Sequence, residues 1–305
     1  MSSVIEAKAP AKLNLFLHVT GRRDDGYHLL QSLFVPIALY DSLSFRQNSS
    51  GLVRRLNVID GIAEEDDLVV RAARLLKEHV SRPELGVDIE LGKVIPSGAG
   101  LGGGSSDAAT TLVSLNALWD LRLTTEELLP LALQLGADVP FFLDAAPAIV
   151  EGIGEFISKL SSDLSERLSQ VCYVLFVPKL PIPTPSIFND PRLQRDTDKL
   201  SLSDLEFALA HAEPLWQYGH NDLESVACAQ HPALESMRQF LLGLGIKARM
   251  SGAGSVFFAA YESQAEAAAV QQLVEAALQQ LINNRSEDAG LISSLQLRCL
   301  VVAAG

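Results

Sequence analysis

Hydrophobic and polar residues alternate along the first part of the chain. Over residues 4–19 this pattern predicts two short strands separated at Pro10. In the second strand, three leucines fall on one face, and Lys12 and Asn14 fall on the other face with Phe16. From the residues alone, such a polar pair is typical of a solvated strand edge.

Further along the chain, short apolar runs alternate with segments of helical period. Strands are predicted at residues 33–45, 87–96, 171–177, 247–250, 256–261 and 295–302, and helices at 68–76, 107–119, 124–136, 232–244 and 263–281. A short helix is also expected to begin at Thr184 and Pro185, as a cap followed by a first helical residue. The alternation of strands and helices predicts an α+β sandwich.

One predicted helix carries start and stop signals. Thr124 and Glu127 have the spacing of a capping box, in which two side chains bind the first free backbone N–H groups. Pro130 lies inside this helix, where it is expected to cause a kink. Gly136 is expected to end it.

A glycine-rich stretch is the strongest chemical signal in the sequence. It places five glycines within residues 98–104, immediately before a helical pattern. Glycine has no Cβ, so the backbone can take positive φ and approach a ligand closely. Ser105 or Ser106 is a candidate N-cap for the helix. A helix N-terminus presents free N–H groups and a positive dipole end, so the stretch predicts a phosphate-binding loop.

Other kinds of glycine loop fit this stretch less well. The segment matches G-x-G-x-x-G, but Asp120, the acid at a suitable distance, follows a helix instead of a strand. A Walker A loop needs lysine where Gly104 stands. The companion motifs of a protein kinase are absent from the sequence. A plain surface turn is the remaining alternative.

Composition sets broad limits on the function. A chain of 305 residues suits two modest domains and can bury a full core. A formal charge of −13 disfavours a broad basic face for nucleic acid, so any anion site must be built locally. Cys172, Cys228 and Cys299 are far apart and odd in number, which indicates reduced thiols in the cytoplasm. No signal peptide and no apolar run of membrane-spanning length is expected.

The glycine stretch resembles the phosphate loop of the GHMP kinases, which include galactokinase and the homoserine and mevalonate kinases. Within that superfamily, the triple glycine followed by S-S-D-A-A resembles the members that phosphorylate 4-diphosphocytidyl-2-C-methyl-D-erythritol. The likeness runs from about Ala7 to Ala260 and includes P-A-K-L-N, G-Y-H, G-A-D-V-P and N-D-L-E segments. The second glycine loop, at residues 251–255, resembles the third GHMP motif.

The resemblance implies a two-domain GHMP architecture. Residues 1–160 would form an ATP-binding domain that is ribosomal-protein-S5-domain-2-like, and residues 161–305 a ferredoxin-like substrate domain. The boundary is expected between Gly154 and Ser169, and the resemblance implies an active site in the cleft between the domains. For the subgroup that phosphorylates 4-diphosphocytidyl-2-C-methyl-D-erythritol, the resemblance implies a place in non-mevalonate isoprenoid precursor synthesis. We also expect a cytoplasmic monomer or homodimer without nucleic-acid or membrane partners.

The resemblance also implies a reaction and a set of site residues. ATP would be the co-substrate, with Mg²⁺, and the 2-hydroxyl of the cytidine diphosphate substrate would be the acceptor. Asp138 would act as general base, and Lys12 would stabilise negative charge in the transition state. The residues implied in ATP binding are Pro96, Ser97, Gly98, Ala99, Gly100, Leu101, Gly102, Gly103, Gly104, Ser105 and Ser106. Those implied in substrate binding are Asn14, Tyr27, His28 and Phe188.

Several of these residues also have a plain structural interpretation. Asp138 in a loop could be a turn former, and Tyr27 and His28 could be surface residues after a turn. Phe188 could be a core residue. Where Asp67 stands the family more often has Asn, so it either caps a helix or brings an unexplained charge to the nucleotide. The wider alternatives are another GHMP small-molecule kinase and a nucleotide-binding protein without activity.

Overall fold

A computed structural model of the protein describes residues 3–210, 218–284 and 287–305. Strands and helices alternate along the chain and confirm the predicted α+β class. The strands are β1 Val4–Arg22, β2 His28–Asn48, β3 Val53–Arg55, β4 Gly86–Gly92, β5 Ala148–Gly152, β6 Phe156–Lys159, β7 Cys172–Val177, β8 Arg249–Met250, β9 Phe257–Tyr261 and β10 Arg298–Ala303. The helices are α1 Leu68–His79, α2 Gly103–Leu118, α3 Thr125–Leu135, α4 Ser162–Ser169, α5 Thr184–Phe188, α6 Leu202–Ala210, α7 Asp222–Gln230, α8 Pro232–Gly243, α9 Gln264–Asn284 and α10 Glu287–Ser294.

The chain forms two compact units that are not simple halves of the sequence. The first unit comprises Met1–Ala11, Leu39–Pro96 and Gly102–Ala146. The second comprises Lys12–Ala38, Ser97–Leu101 and Pro147–Gly305. Strands β1 and β2 therefore contribute residues to both units.

In the first unit, β4 lies between β3 and β2. It pairs antiparallel with residues 42–48 of β2 and parallel with β3. Helices α1, α2 and α3 pack against one another, and α1 buries an apolar stripe of Val69, Val70, Ala72, Ala73 and Leu76. This stripe has the 3.6-residue period from which the helix was predicted.

The capping box of α3 is confirmed. The Thr124 hydroxyl accepts from the N–H of Glu127 at 3.3 Å, and the Glu127 carboxylate accepts from the N–H of Thr124 at 2.8 Å. Gly136 follows the last helical residue, as expected, and Pro130 lies within the helix.

In the second unit, four antiparallel strands form a sheet in the order β10-β7-β9-β8. Val174 of β7 lies between Val301 of β10 and Ala259 of β9. Helix α9 packs on this sheet, and the buried aromatic rings of Phe176 and Phe257 lie in the same hydrophobic core. Residues 30–34 of β2 pair with β5, which pairs in turn with β6.

Strand β1 differs from the prediction. It is one continuous strand of 19 residues and is not broken at Pro10. The fixed φ of proline is compatible with extended backbone, so the residue ends a strand only where its missing N–H is needed for pairing. The expectation of a solvated edge at Lys12 and Asn14 is also wrong, since these residues are 3% and 1% exposed.

The structure describes the state of the cysteines, the character of the helices and the grouping of side chains that bind metals. All three cysteines are free. Among the described residues, no helix combines the length and apolar character needed to cross a bilayer. Within the same residues, no group of three His, Cys, Asp or Glu side chains is arranged to hold a metal ion.

Candidate functional site

The glycine loop alternates between left-handed and other conformations. Gly98, Gly100 and Gly102 have φ values of 64°, 77° and 70°. Helix α2 begins at Gly103 with Gly102 as its N-cap, and no side chain caps it. The predicted cap at Ser105 or Ser106 is therefore wrong, because glycine at positive φ lets the chain enter the helix earlier. The first amides of α2 lack helical partners, as at any helix N-terminus.

The carbonyl groups of the loop are all bound to the protein. The four consecutive oxygens from Gly98 to Leu101 accept hydrogen bonds of 2.9–3.3 Å. The donors are, in order, Ile182 N, Val256 N, Ser251 Oγ and Lys12 N. The N–H groups of residues 98–102 donate to no other residue that the structure describes. The carbonyl oxygens of the loop are thus turned into the protein, and its N–H groups have no partner among the described residues. Such a set of N–H groups forms a concave backbone nest that can bind an anion.

The second glycine loop holds the first in place. A Cβ on Gly100 would lie 2.0 Å from the carbonyl oxygen of Ser251, so only glycine fits there. The Ser251 hydroxyl donates to the carbonyl of Gly100 and accepts from the N–H of Asn14 at 3.2 Å. The role of this second loop in the second unit is therefore to fix the backbone of the phosphate loop.

The N-D-L-E segment anchors the second glycine loop. The side-chain amide of Asn221 donates to the carbonyl oxygens of Met250 and Gly252 at 2.7 and 2.8 Å. The carboxylate of Asp222 accepts from the N–H of Val19 in β1 at 2.6 Å. The segment thus supports the site through backbone contacts within the second unit.

A buried charged cluster, which was not predicted from the sequence, holds the chain that enters the glycine loop. Lys93 donates to the carboxylates of Asp41 and Asp107, at 2.7 Å for Asp107. The other oxygen of Asp41 accepts from the N–H groups of Val94 and Ile95 at 2.5 and 2.8 Å. Burial raises the pKa of Asp107 to about 7; Asp41 adds to this shift, and Lys93 opposes it.

The remaining loop residues begin α2, after Pro96 and Ser97. A Cβ on Gly103 would lie 2.8 Å from the side chain of Ile95, so this position is also closed to larger residues. Gly104 is exposed and Ser105 is half-buried. Ser106 is fully buried, and its hydroxyl has no hydrogen-bond partner among the described residues.

Lys12 and Asn14 are brought together inside the second unit. Nζ of Lys12 donates to Oδ1 of Asn14 at 2.5 Å and lies 4.6 Å from the ring centroid of Phe34. Nδ2 of Asn14 donates to the Ser32 hydroxyl at 2.8 Å, and that hydroxyl donates to the carbonyl of Phe16. A hydroxyl has one hydrogen, so Ser32 can only accept from Asn14. This fixes the amide with its oxygen towards Lys12.

His28 and Phe188 also meet in the second unit. Their ring centroids are 4.9 Å apart, with 35° between the planes. Both rings are partly buried, and Phe188 also packs against the hydrophobic core. Tyr27 is 62% exposed. Arg195, which the sequence did not single out, donates to Nε2 of His28 at 3.0 Å.

Asp138 and Asp67, two acidic residues of the first unit that the sequence analysis singled out, have different surroundings. Asp138 lies in the turn after α3 and is partly exposed. Asp67 is the N-cap of α1 and accepts from the N–H of Val69 at 2.9 Å. Its second oxygen pairs with Arg55, which is buried beside it. The cap interpretation of Asp67 is confirmed, and its charge is balanced by that arginine.

Comparison with known proteins agrees with the resemblance seen in the sequence. Residues 67–150 match the model of the GHMP kinases N terminal domain, and residues 208–280 match that of the GHMP kinases C terminal domain. A 4-diphosphocytidyl-2-C-methyl-D-erythritol kinase of Azoarcus sp. (strain BH72) is 47% identical over 88% of this chain and 89% of its own.

Two further relatives support the same assignment. The protein of that name from Paraburkholderia phytofirmans is 44% identical, again over 88% of this chain and 89% of its own. A crystal structure of a 4-(cytidine 5'-diphospho)-2C-methyl-D-erythritol kinase superposes with a TM-score of 0.75 at 35% identity. That superposition covers 99% of this chain and 100% of the other.

Proposed function

This chain belongs to the GHMP kinase family, and we propose that it is an ATP-dependent kinase acting on 4-diphosphocytidyl-2-C-methyl-D-erythritol. The γ-phosphoryl group of ATP would pass to the 2-hydroxyl, giving the 2-phosphate and ADP. The observation that carries the kinase activity is the glycine loop, with its carbonyls bound and its N–H groups without partners. The choice of substrate rests on relatives of this name that match most of the chain.

The loop supplies the groups that ATP needs. Backbone N–H groups at residues 98–102 would bind the phosphate oxygens without any charged side chain. Its position is set by Ser251, Val256, Ile182 and the N–H of Lys12. Because these bonds are made within the protein, they preorganise the loop, and little conformational entropy is lost on binding.

The transfer also needs a proton acceptor and a positive charge. We assign the first role to Asp138, which would take the proton of the tertiary 2-hydroxyl. We assign the second to Lys12, because Gly104 stands where a Walker loop carries its lysine. Lys12 Nζ is held by Asn14, so its ammonium group would stabilise transition-state charge from a fixed position.

The expected Mg²⁺ would neutralise phosphate charge when bound. Magnesium prefers hard oxygen ligands. The hydroxyl of Ser106 fits this preference, since it is a buried oxygen without a hydrogen-bond partner in the described part of the chain. Ser105, which is half-buried, is the second candidate.

The aromatic pair is the proposed cytidine-binding element. The ring of Phe188 provides a partly buried surface on which a base can stack, and the ring of His28 lies beside it, tilted by 35°. Exposed Tyr27 would add a third ring, and Asn14 would orient the substrate alcohol. We also propose that the enzyme is cytoplasmic, as its three free thiols suggest, and acts as a monomer or homodimer.

The test is to offer the protein ATP and Mg²⁺ with several alcohols. We expect ADP release with 4-diphosphocytidyl-2-C-methyl-D-erythritol, and a new phosphate monoester on carbon 2 by phosphorus NMR. Mevalonate and homoserine are the controls. If mevalonate or homoserine were phosphorylated in preference to the cytidine substrate, the protein would be a different GHMP kinase. Nucleotide binding without phosphorylation of any alcohol would identify a protein that has lost the activity.

A further inference from the structure

One nitrogen of the His28 ring faces a group that can only donate. Nε of Arg195 lies 3.0 Å from Nε2 of His28. A guanidinium group has five N–H donors, has no acceptor and does not lose its proton in proteins. Nε2 must therefore offer a lone pair. A neutral imidazole with its lone pair on Nε2 carries its hydrogen on Nδ1, and a protonated ring has no lone pair at either nitrogen.

The guanidinium group is itself held in place. Nη1 of Arg195 donates to the carbonyl of Leu193 at 2.8 Å. Nη2 donates to the carbonyls of Phe188 and Asp190 at 3.0 and 2.8 Å. These bonds use neighbouring backbone acceptors, so the group cannot turn away from His28 without losing them. The geometry therefore imposes one tautomer on the ring.

The charges around His28 act in the same direction. Burial lowers the pKa of His28, and the positive charges of Arg195 and Arg22 lower it further. These effects favour the neutral ring, so His28 becomes protonated at a lower pH than a free histidine. Its Nδ1 hydrogen has no acceptor among the described residues. That hydrogen lies in the plane of the ring, so it is available to a base that meets the edge of His28 while stacking on Phe188.

We propose that Arg195 is a positioning residue that holds His28 as the neutral Nδ1–H tautomer, so that the ring offers one fixed donor to the substrate's base. The inference rests on the proposed function for the identity of that base. Cytosine presents two adjacent acceptors, N3 and O2, whereas uracil carries a hydrogen on N3. A fixed donor at N3 pairs with cytosine and meets a second donor in uracil, so Arg195 would contribute to selecting cytidine.

The tautomer can be measured without substrate. In enzyme labelled with ¹⁵N-histidine, we expect His28 to show a protonated Nδ1 and an unprotonated Nε2, at neutral pH and below the usual pKa of histidine. Arg195→Met should abolish this pattern, so that the ring becomes protonated at higher pH than in the wild type. Arg195→Lys, whose ammonium group also only donates, should preserve it.

Arg192→Met is the matched control, since Arg192 lies three residues away and pairs with Asp190 instead of His28. It should leave the His28 spectrum unchanged. A wild-type ring with its hydrogen on Nε2, or a spectrum unaltered by Arg195→Met, would overturn the assignment. These spectra do not depend on catalysis, so they remain decisive even if the proposed reaction is not observed.

The selectivity part is tested by kinetics with the cytidine substrate and its uridine analogue. Loss of one hydrogen bond should raise the KM for the cytidine substrate about 3- to 10-fold in Arg195→Met. The preference for cytidine over uridine should fall by a similar factor, while the KM for ATP stays unchanged. An unchanged preference would overturn the role in selectivity. A wild-type enzyme inactive on both substrates would instead refute the proposed function.

Discussion

The hydroxyl of Ser251 donates to the carbonyl oxygen of Gly100, 2.9 Å away, and accepts from the N–H of Asn14. One small side chain therefore connects the phosphate loop, the second glycine loop and β1. These partners are 151 and 237 residues away along the chain. The same contact makes the loop sensitive to substitutions that touch neither ATP nor a charged group.

Gly100→Ala should disable the phosphate loop. The added Cβ would lie 2.0 Å from the carbonyl oxygen of Ser251, and the residue has φ +77°, which disfavours alanine. We expect the KM for ATP to rise at least about tenfold, because a displacement of the loop costs more than the ~1.4 kcal/mol that this factor represents. Steady-state kinetics at varied ATP measure this.

Gly243→Ala is the control for that experiment. Gly243 ends α8, and an added Cβ would meet no atom within 4 Å. This variant should keep wild-type kinetics and gain up to about 1 kcal/mol in stability. A Gly100→Ala enzyme with wild-type affinity for ATP would show that the loop tolerates movement of Ser251.

Asp138→Asn should lower kcat by about 10²–10⁴-fold, the usual effect of removing a general base. The KM values should change little, because the amide has nearly the same size as the carboxylate. Asp120→Asn is the control, since Asp120 is exposed and pairs only with nearby Arg122 among the described residues. Nearly full turnover in Asp138→Asn would assign Asp138 a structural role.

Ser32 should influence turnover through the orientation of Asn14. Ser32→Thr keeps a hydroxyl that can accept from Nδ2 of Asn14, whereas Ser32→Val has the same shape without it. We expect kcat to fall about 5- to 50-fold in the valine variant only, because a buried amide without its partner can turn its oxygen away from Lys12.

The comparison of threonine with valine separates this effect from simple packing. Both substitutions add the same volume at a position that is 1% exposed, so the cost of overpacking should be similar. Valine also leaves Nδ2 of Asn14 and the carbonyl of Phe16 without a partner, so its melting temperature should be the lower of the two. Ser114→Ala removes another buried hydroxyl and should leave kcat unchanged. Equal kcat in the threonine and valine variants would contradict the role of Ser32.

Phe188→Ala should raise the KM for the cytidine substrate more than the KM for ATP. The ring stacks on His28 at 4.9 Å, so its removal opens the proposed base-binding surface. A stacking contact is worth about 0.5–1.5 kcal/mol, which predicts a rise of roughly 2- to 12-fold. Phe240→Ala, which loses a partly buried ring on the same core, should destabilise the protein without changing either KM. Equal rises in both KM values would identify Phe188 as a core residue.

The charged cluster at Lys93 predicts a pH dependence of stability. Burial raises the folded-state pKa of Asp107 to about 7, above the unfolded value of 3.8. Folding therefore favours the protonated acid, and the stability from this group is complete below the unfolded pKa and is lost as pH rises through about 7. In Asp107→Asn the side chain is an amide, which does not titrate. The stability of wild type relative to Asp107→Asn should fall between about pH 5.5 and about pH 8.5.

Urea unfolding of both proteins at the two pH values measures this difference. Asp120→Asn serves again as the control, because Asp120 is exposed and its pKa is lowered by Arg122, so it stays ionised throughout. Its stability relative to wild type should be the same at both pH values. Parallel pH profiles for wild type and Asp107→Asn would mean that Asp107 keeps its charge in the folded protein.

Features that depend on short stretches of chain were predictable from the sequence. The capping box at Thr124 and Glu127 and the cap at Asp67 follow from residue types at fixed spacing. The glycine pattern fails only for the cap of α2. Serine is a good cap in general, but positive φ at Gly102 moves the helix start forward.

The fold class and the family could be derived from the order of the residues, because hydrophobic period and short motifs are encoded within a few residues. The partners of the loop carbonyls, the burial of Lys12 beside Asn14 and the contact of Arg195 with His28 are visible only in the folded protein. Those contacts join residues that are distant in the chain. The packing of whole helices and strands brings these residues together, and the spacing of residue types along the sequence does not predict that packing.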